Sequence, residues 1–109
     1  TQGYSSAASD VYKRQVFMKI LKQTSQFKKD LKKIQNNPKK ISNLEVVLKL
    51  LSKTGSLPRR YRPHLLSGEY KGYMECHIES DFLLIWIDES IDVIKLIRLG
   101  SHSDLFKKY

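Results

Sequence analysis

Three histidines, His64, His77 and His102, lie in the C-terminal part of the chain and could carry proton-transfer chemistry. An imidazole has an unperturbed pKa of about 6.5, so it can donate or accept a proton at neutral pH. Each histidine falls at the margin of a predicted strand, where a rigid scaffold can hold functional side chains. An acid, a fixed positive charge and an aromatic ring lie nearby in sequence: Asp81, Arg98 and Phe106. This set of side chains could bind and cleave a phosphodiester.

Cleavage of RNA at a phosphodiester requires three functional groups. A base takes the proton from a 2′-hydroxyl, an acid protonates the leaving 5′-oxygen, and positive charge offsets the charge that builds up on the phosphate. Two histidines, or a histidine and a carboxylate, can fill the first two roles without a metal. Arg98 or Lys71 can supply the positive charge, and Phe106 can stack on an unstacked base.

Two other kinds of site compete with this interpretation. His77 and Asp81, together with His102 or His64, offer enough nitrogen and oxygen ligands for zinc or iron. Their spacing matches no specific metal signature, and the surrounding positive charge opposes cation binding, so we expect neither a metal nor another cofactor. Cys76 could be a nucleophile, but strand alternation places it on the buried face, where a thiol usually only packs.

The composition indicates one small basic domain with an anionic partner. The 109 residues contain 20 Lys and Arg against 11 Asp and Glu, which gives a net charge of +9. Such an excess favours nucleic acid, an acidic protein or a membrane surface as the partner. The single cysteine excludes an intrachain disulfide and suits a reducing compartment. The sequence shows neither a membrane-spanning apolar run nor a secretory signal, so we expect a cytoplasmic protein without membrane contact.

Residues 1–17 differ from the rest of the chain, because they are small and polar and have no hydrophobic period. We interpret them as a disordered or non-native tail, with Met18 as a natural start and residues 18–109 as the folded domain. The tail contains Lys13, Arg14 and Asp10, so 18 basic and 10 acidic side chains remain in the domain, a net charge of +8. The basic character therefore belongs to the domain.

The first half of the domain predicts a short strand followed by two helices. The strand is expected over Met18–Leu21, and Thr24 or Ser25 can cap the helix after it. Phe27, Leu31 and Ile34 form a buried stripe in that helix, which residues 36–38 should end. A second helix is predicted from about Ser42 to Gly55, with its buried stripe formed by Leu44, Val47, Leu48 and Leu51. The two helices are expected to form an antiparallel pair.

Three strands are predicted in the second half, over Glu69–Ile78, Phe82–Asp88 and Ile91–Leu99. The connections Glu79–Ser80 and Glu89–Ser90 are short enough for hairpins, so the strands should form an antiparallel meander. The predicted fold class is therefore α+β, with two N-terminal helices packed on an antiparallel β-sheet.

The first of these strands is expected to have one open face and one buried face. Alternation places Lys71, Tyr73, Glu75 and His77 on the open face, and Met74, Cys76 and Ile78 on the face toward the helices. An open face with these polar side chains suits RNA, although ordinary contact with solvent would produce the same pattern.

Two basic features allow two interpretations each. A two-residue turn at Glu89–Ser90 would put Arg98 on the helix-covered face, whereas a bulge or a one-residue change in loop length would reverse that placement. The loop that holds Arg59, Arg60 and Arg62 could bind phosphate, or it could be a solvated basic surface.

Three segments of the sequence, HLLSG from His64, KGYMECHIESDFLLIW from Lys71 and RLGSHSDLF from Arg98, resemble the YafQ branch of the RelE-like toxins of bacterial type II toxin–antitoxin systems. The resemblance covers Met18 to Phe106, and the family fold also has two N-terminal helices on an antiparallel sheet. By this resemblance, the catalytic positions are His64, His77, Asp81, His102 and Phe106. Arg98 and Glu75 match positions implicated in some members. The proline that usually precedes the aspartate is replaced here by Ser80.

The resemblance implies a metal-independent endoribonuclease that cleaves mRNA, commonly on the ribosome, and that a cognate antitoxin silences. We expect the toxin to be a monomer within that complex. His102 and His77 would share the acid and base roles, with Asp81 as an alternative base or as the group that orients a histidine. The alternative function is a non-catalytic RNA-binding module or an inactivated toxin.

Overall fold

The computed structural model describes residues 18–106, which form an α+β fold. The elements in chain order are β1 (Ile20–Gln23), α1 (Ser25–Lys33), α2 (Pro38–Thr54), β2 (His64–Leu65), β3 (Met74–Glu79), β4 (Phe82–Ser90), β5 (Val93–Gly100) and α3 (His102–Leu105). Short 3-10 turns cover Arg59–Tyr61 and Gly68–Tyr70. Among the described helices, none combines the length and apolar character needed to cross a membrane.

The sheet has five strands in the order β1-β5-β4-β3-β2. Strands β2 to β5 form an antiparallel meander. Three of its strands, β3, β4 and β5, correspond to the meander predicted from the sequence. The short N-terminal strand is also confirmed at an edge, but it runs parallel to β5, with Ile20 opposite Val93 and Gln23 opposite Leu96. The sheet is therefore mixed, which is possible because the helices between β1 and the meander provide a long crossover.

Helix ends follow the expected capping chemistry except at one boundary. The Thr24 side chain caps α1 by accepting a hydrogen bond from the Phe27 amide at 3.2 Å. The Asn37 side chain caps α2 in the same way, and Pro38 is the first helical residue, not part of the end of α1. Proline suits this position because its missing N–H would have no helical partner there. Gly55 ends α2 with φ 78°, as predicted.

Both predicted hairpin turns were placed too early in the chain. The first turn is Ser80–Asp81, because Glu79 pairs with Phe82, and the second is Ile91–Asp92, because Ser90 pairs with Val93. Strand β3 begins only at Met74, because a 3-10 turn and Gly72, with φ 92°, precede it. Lys71 therefore lies in an exposed turn and not on the strand where alternation placed it.

Two apolar clusters lie on opposite faces of the sheet. The larger cluster joins Phe27, Val47 and Leu51 of the helices to the facing side chains of β3, β4 and β5. Cys76 belongs to this cluster, and burial raises the pKa of its thiol to about 12, which rules it out as a thiolate nucleophile. The smaller cluster contains Leu83, Ile85 and Leu105 and lies under the opposite face, where the polar candidates are found.

Candidate active site

The turn between β3 and β4 holds His102 in place through Asp81. The Asp81 carboxylate oxygen Oδ1 accepts a hydrogen bond from the backbone N–H of His102 at 2.8 Å and lies 2.7 Å from the ring nitrogen Nδ1. The backbone hydrogen bond, followed by the side-chain one, lowers the pKa of Asp81, although this carboxylate is exposed. Because Asp81 engages Nδ1, the ring is oriented and its Nε2 is left to face a substrate.

Helix α3 begins directly at His102 because the sequence there forms a capping box. The Ser101 hydroxyl accepts a hydrogen bond from the Asp104 amide, and the Asp104 carboxylate accepts one from the Ser101 amide, both at 3.2 Å. This reciprocal cap sets the backbone direction immediately before the histidine. The helix was not predicted, because it is only four residues long.

A second polar group is formed where β2 pairs with β3. His64 lies opposite Glu75, and its Nε2 is 3.1 Å from the Glu75 carboxylate oxygen Oε1. The other ring nitrogen of His64, Nδ1, is 2.8 Å from the carbonyl oxygen of Arg62. Glu75 is 4% exposed, and both its second oxygen, Oε2, and Nδ1 of His77 are buried without a hydrogen-bond partner in the described part of the chain.

The three histidines and Phe106 form a continuous row of rings. The ring centroids are 6.1 Å apart between His64 and His77, 5.8 Å between His77 and His102, and 6.4 Å between His102 and Phe106. Residues that are widely separated in sequence therefore meet along one surface. The structure brings together five of the predicted positions, with Asp81 beside the row.

Arg98 lies on the same face as these groups because of a β-bulge. Ile85 pairs with Arg98 and Trp86 pairs with Leu96, so Ile97 is the extra residue. Directly paired residues point to the same side of a sheet, and Ile85 belongs to the cluster on the face away from the helices. The sequence left open on which face of the sheet Arg98 lies. The bulge places its side chain on the face away from the helices, which a substrate can reach.

Asp30 of α1, which was missed as a site residue, holds the Arg98 guanidinium. Its Oδ2 accepts hydrogen bonds from Arg98 Nε at 2.8 Å and from the Leu99 amide at 2.9 Å. Hydrogen bonding to this buried carboxylate is the main cause that raises the pKa of Arg98. The sequence did contain a signal for Asp30. It lies at i+3 from Phe27, within the apolar stripe of the helix, and a carboxylate buried there needs a partner.

Tyr70 connects Arg98 to the row of rings. Its hydroxyl lies 3.5 Å from Nη1 of Arg98, and its ring meets Phe106 edge to face with centroids 5.8 Å apart. The sequence offered no signal for this role, because Tyr70 lies in a 3-10 turn outside any periodic segment.

Two of the three predicted RNA-binding arginines line a cleft next to His77. Arg60 stacks on the Tyr61 ring with its guanidinium carbon 4.7 Å from the centroid. Arg60 and Arg62 line this cleft of about 400 Å³ together with His77, while Arg59 lies outside its lining. All three arginines are exposed, so they could meet a phosphate chain that enters the site from this side.

Comparison with known proteins identifies the family to which the chain is similar. Residues 19–107 match the family described as the bacterial toxin of the type II toxin–antitoxin system, YafQ. The mRNA interferase toxin YafQ of Escherichia coli K12 is 34% identical over 84 residues, which cover 76% of this chain and 90% of the relative.

Solved structures share the fold over nearly their whole length. The E. coli DinJ–YafQ toxin–antitoxin complex matches 82% of this chain and 98% of the toxin, with a TM-score of 0.71 and 31% identity. A metal-bound toxin from Helicobacter pylori matches 82% of this chain and 100% of its own, with a TM-score of 0.69 and 35% identity. The chain belongs to the YafQ family of toxins from bacterial type II toxin–antitoxin systems.

Proposed function

We propose that this toxin is an endoribonuclease that cleaves mRNA without a metal cofactor, as an mRNA interferase. The observation that carries the proposal is the His102 ring, which Asp81 orients and which lies next to the ring of His77 on an open surface. Two adjacent imidazoles can act as the acid and base pair that phosphodiester cleavage requires. The name of the E. coli relatives, mRNA interferase toxin, supports the same substrate class.

In this mechanism, one histidine takes the proton from the 2′-hydroxyl and the other donates a proton to the departing 5′-oxygen. The 2′-oxygen forms a bond to phosphorus while the bond to the 5′-oxygen breaks, so the chain is cut and a cyclic phosphate remains. Arg98 supplies a fixed positive charge for the phosphate, and Phe106 offers a ring on which a base can stack. Asp81 acts as an orienting group, because its oxygen Oδ1 is already engaged by His102.

Induced expression separates this function from that of a non-catalytic RNA-binding module or an inactivated toxin. A ribonuclease should arrest growth and produce new mRNA 5′ ends within minutes of induction. Growth arrest without new ends would indicate binding without catalysis.

Cleavage is expected to survive chelation, because two histidines and Arg98 provide proton transfer and charge without a cation. Protein dialysed against EDTA and assayed on mRNA in purified translating ribosomes at fixed magnesium should retain its full rate. The control is the same protein after dialysis without EDTA. Loss of activity after EDTA treatment, restored by zinc, would contradict metal-independent cleavage.

We also propose that an acidic antitoxin covers the site. The E. coli relative is solved in complex with the antitoxin DinJ, and the net charge of +9 on this chain suits an acidic segment that folds on binding. Co-expression with the product of the neighbouring gene should give a complex that co-purifies and should restore growth. The complex is expected to contain the toxin as a monomer. A neighbour that neither binds nor restores growth would contradict this partner.

The ribosome is the proposed working partner, which places the protein in the cytoplasm. The site is an open surface at a sheet edge, and correct orientation of reactants contributes about 7–11 kcal/mol to catalysis. A ribosome already holds the mRNA codon in a fixed shape and can supply that orientation. We therefore expect an mRNA to be cut much faster on translating ribosomes than as naked RNA at the same salt concentration. Equal rates would contradict this role of the ribosome.

Exposed lysines on α1 are proposed to dock on ribosomal RNA. Changing Lys29 and Lys33 to Gln should weaken ribosome binding and lower the slope of log affinity against log salt by about 1.4 to 1.8, if each lysine meets one phosphate. Lys49 and Lys53 have the same i, i+4 spacing on α2 and are also exposed, so their double change to Gln is the matched control. Equal effects of the two double variants would indicate general charge attraction rather than docking through α1.

A further inference from the structure

We propose that the cleft beside His77 is a subsite for a nucleotide that flanks the scissile phosphate, and that Glu79 and Asn43 select a base with an amino group there. The cleft measures about 400 Å³, within the range of about 300–1,000 Å³ that is typical of pockets for small organic molecules. The proposal rests on the proposed ribonuclease function, because it assigns the cleft to the same RNA that the histidines cut.

The cleft lies where the outer edge of β3 is not covered by a neighbouring strand. Within residues 18–106, β2 pairs with β3 only at Met74 and Glu75, so the rest of this edge is open. Residues of α2, of the arginine-containing loop and of β3 itself line the cleft there. His77 belongs both to the cleft and to the row of rings, so a nucleotide in the cleft lies next to the phosphodiester on which the histidines act.

A β-bulge turns Glu79 toward α2, although His77, two residues earlier, points to the opposite face. His77 pairs with Leu83 and Glu79 pairs with Phe82, so Ile78 is the extra residue in β3. Phe82 belongs to the core between the sheet and the helices, and directly paired residues share a face. Bulges often redirect a side chain beside an active site. This bulge makes Glu79 part of the cleft wall and leaves His77 with the other catalytic groups.

Glu79 is held in the cleft as an ionised hydrogen-bond acceptor. Its Oε2 accepts a hydrogen bond from Asn43 Nδ2 at 2.9 Å, and its Oε1 accepts one from Lys40 Nζ at 3.2 Å. Lys40 is itself fixed over the Phe82 ring, 4.4 Å from the centroid. Hydrogen bonding from Asn43 is the main cause that lowers the pKa of Glu79, so its carboxylate is charged at neutral pH. An ionised carboxylate only accepts hydrogen bonds, and its two oxygens have further lone pairs for a ligand.

These acceptors fit an amino group on a base. Because Nδ2 of Asn43 is directed at Glu79, the amide oxygen Oδ1 adds a further acceptor to the cleft. Adenine, cytosine and guanine carry an exocyclic amino group, and carboxylate and amide oxygens are the side-chain atoms that accept hydrogen bonds from such groups in nucleic-acid complexes. Uracil has carbonyl oxygens in place of an amino group, and an acceptor repels them. We therefore expect the cleft to disfavour uracil.

The loop side of the cleft offers stacking and positive charge that do not depend on the base. The Arg60 guanidinium lies over the Tyr61 ring, 4.7 Å from its centroid, and Nη2 donates a hydrogen bond to the Tyr61 hydroxyl at 3.1 Å. A guanidinium held in place in this way can stack on a base and attract its phosphate. Val46 of α2, which is 45% exposed, adds an apolar contact. Selection among bases is therefore left to Glu79 and Asn43.

The subsite is tested by single-turnover cleavage on ribosomes programmed with synthetic mRNAs. Once the cut in one mRNA has been mapped, adenosine is placed on its 5′ or its 3′ side and is compared with purine riboside, which lacks only the amino group. At one of the two positions, the wild type should cut the adenosine mRNA about 5- to 150-fold faster, the discrimination that one base-reading pair provides. Equal rates at both positions would overturn the subsite.

Variants assign this preference to residues. Glu79→Ala should cut the two mRNAs at nearly equal rates. Asn43→Ala should lose part of the preference and remains informative even if Glu79→Ala does not fold, because alanine favours the helix. Arg60→Gln should slow both cleavages equally, since stacking and charge do not read the amino group. Glu89→Ala is the matched control and should keep the full preference, because Glu89 also pairs with a lysine, Lys22, but lies outside the cleft. An unchanged preference in Glu79→Ala, or an equal loss in Glu89→Ala, would overturn the assignment.

Failure of the ribonuclease function would give a different result. If the wild type cuts no mRNA at all, that function is wrong, and binding decides the subsite alone. The mRNAs for this measurement carry 2′-O-methyl groups throughout the A-site codon, so that no 2′-hydroxyl is available for reaction. The wild type should bind ribosomes with adenosine in this codon more tightly than ribosomes with purine riboside at the same position. Equal affinities at every position of the codon would overturn the subsite.

Discussion

Replacement of His102 with alanine is expected to slow mRNA cleavage by about 100- to 10,000-fold, the usual contribution of a general acid or base. The ring lies between those of His77 and Phe106, and Asp81 orients it through Nδ1. The substitution removes the proton donor or acceptor but keeps the backbone N–H that Asp81 also holds. The measurement is the cleavage rate on translating ribosomes under single-turnover conditions.

The fold of the His102→Ala variant should remain intact. The side chain is 54% exposed, and changes at such surface positions usually alter stability by no more than about 0.5 kcal/mol. Ser103→Ala is a suitable control, because it changes an exposed residue of the same short helix and should retain the wild-type rate. The cleavage rate of Asp81→Asn should lie between those of His102→Ala and Ser103→Ala, because this change disturbs the orientation of His102 but keeps its imidazole. If His102→Ala cleaves mRNA at the wild-type rate, the assignment of His102 to the active site is wrong.

Loss of the Asp30 carboxylate is expected to have the largest effect on stability, about 3–5 kcal/mol. Asp30→Ala would leave the Arg98 guanidinium and the Leu99 amide without the oxygens that satisfy them now. Removing one partner of such an ion pair is costly because the remaining charge, the Arg98 side chain at 19% exposure, stays largely out of water. Urea denaturation with a linear extrapolation measures this free energy of unfolding.

An exposed ion pair provides the comparison for this variant. Lys22 and Glu89 also connect two distant parts of the chain, with Nζ and Oε1 2.9 Å apart, but both side chains are well exposed. Glu89→Ala should therefore destabilise the protein far less than Asp30→Ala, because exposed ion pairs contribute little to stability. Asp30→Ala should also reduce cleavage at temperatures where it is folded, because Arg98 loses the partner that fixes it. Equal losses of unfolding free energy in the two variants would show that the pair of Asp30 and Arg98 stabilises the fold no more than an exposed ion pair does.

Periodicity predicted the parts of the fold that repeat along the chain. The alternation in β3 correctly placed Cys76 toward the helices and His77 on the other face, because every second side chain of a strand points the same way. The apolar stripes likewise located both main helices. The start of α2 was wrong because Pro38 can end one helix or begin the next, and only the Asn37 cap distinguishes these cases.

Short and non-local features could not be predicted in the same way. Strand β2 has two residues, too few for any period, yet it brings His64 to Glu75. The bulge at Ile97 decides the face of Arg98, and nothing in the local sequence marks it. The pairing of Asp30 with Arg98 depends on two elements that meet only after the sheet has formed. The site residues were therefore found by type and by resemblance, whereas their mutual geometry required the structure.

The parallel pairing of β1 with β5 has a consequence for synthesis of the toxin. The ion pair of Asp30 and Arg98 spans 68 residues of sequence. Within residues 18–106, β1 has β5 as its one neighbouring strand, so β1 can join the sheet only after β5 is available. While β5 is still inside the exit tunnel of the ribosome, the nascent chain lacks both the edge of its sheet and the fixed guanidinium. Contacts this distant in sequence also form late, because the long loop must first be closed. Neither the complete sheet nor the pair of Asp30 and Arg98 can therefore form before β5 has left the exit tunnel.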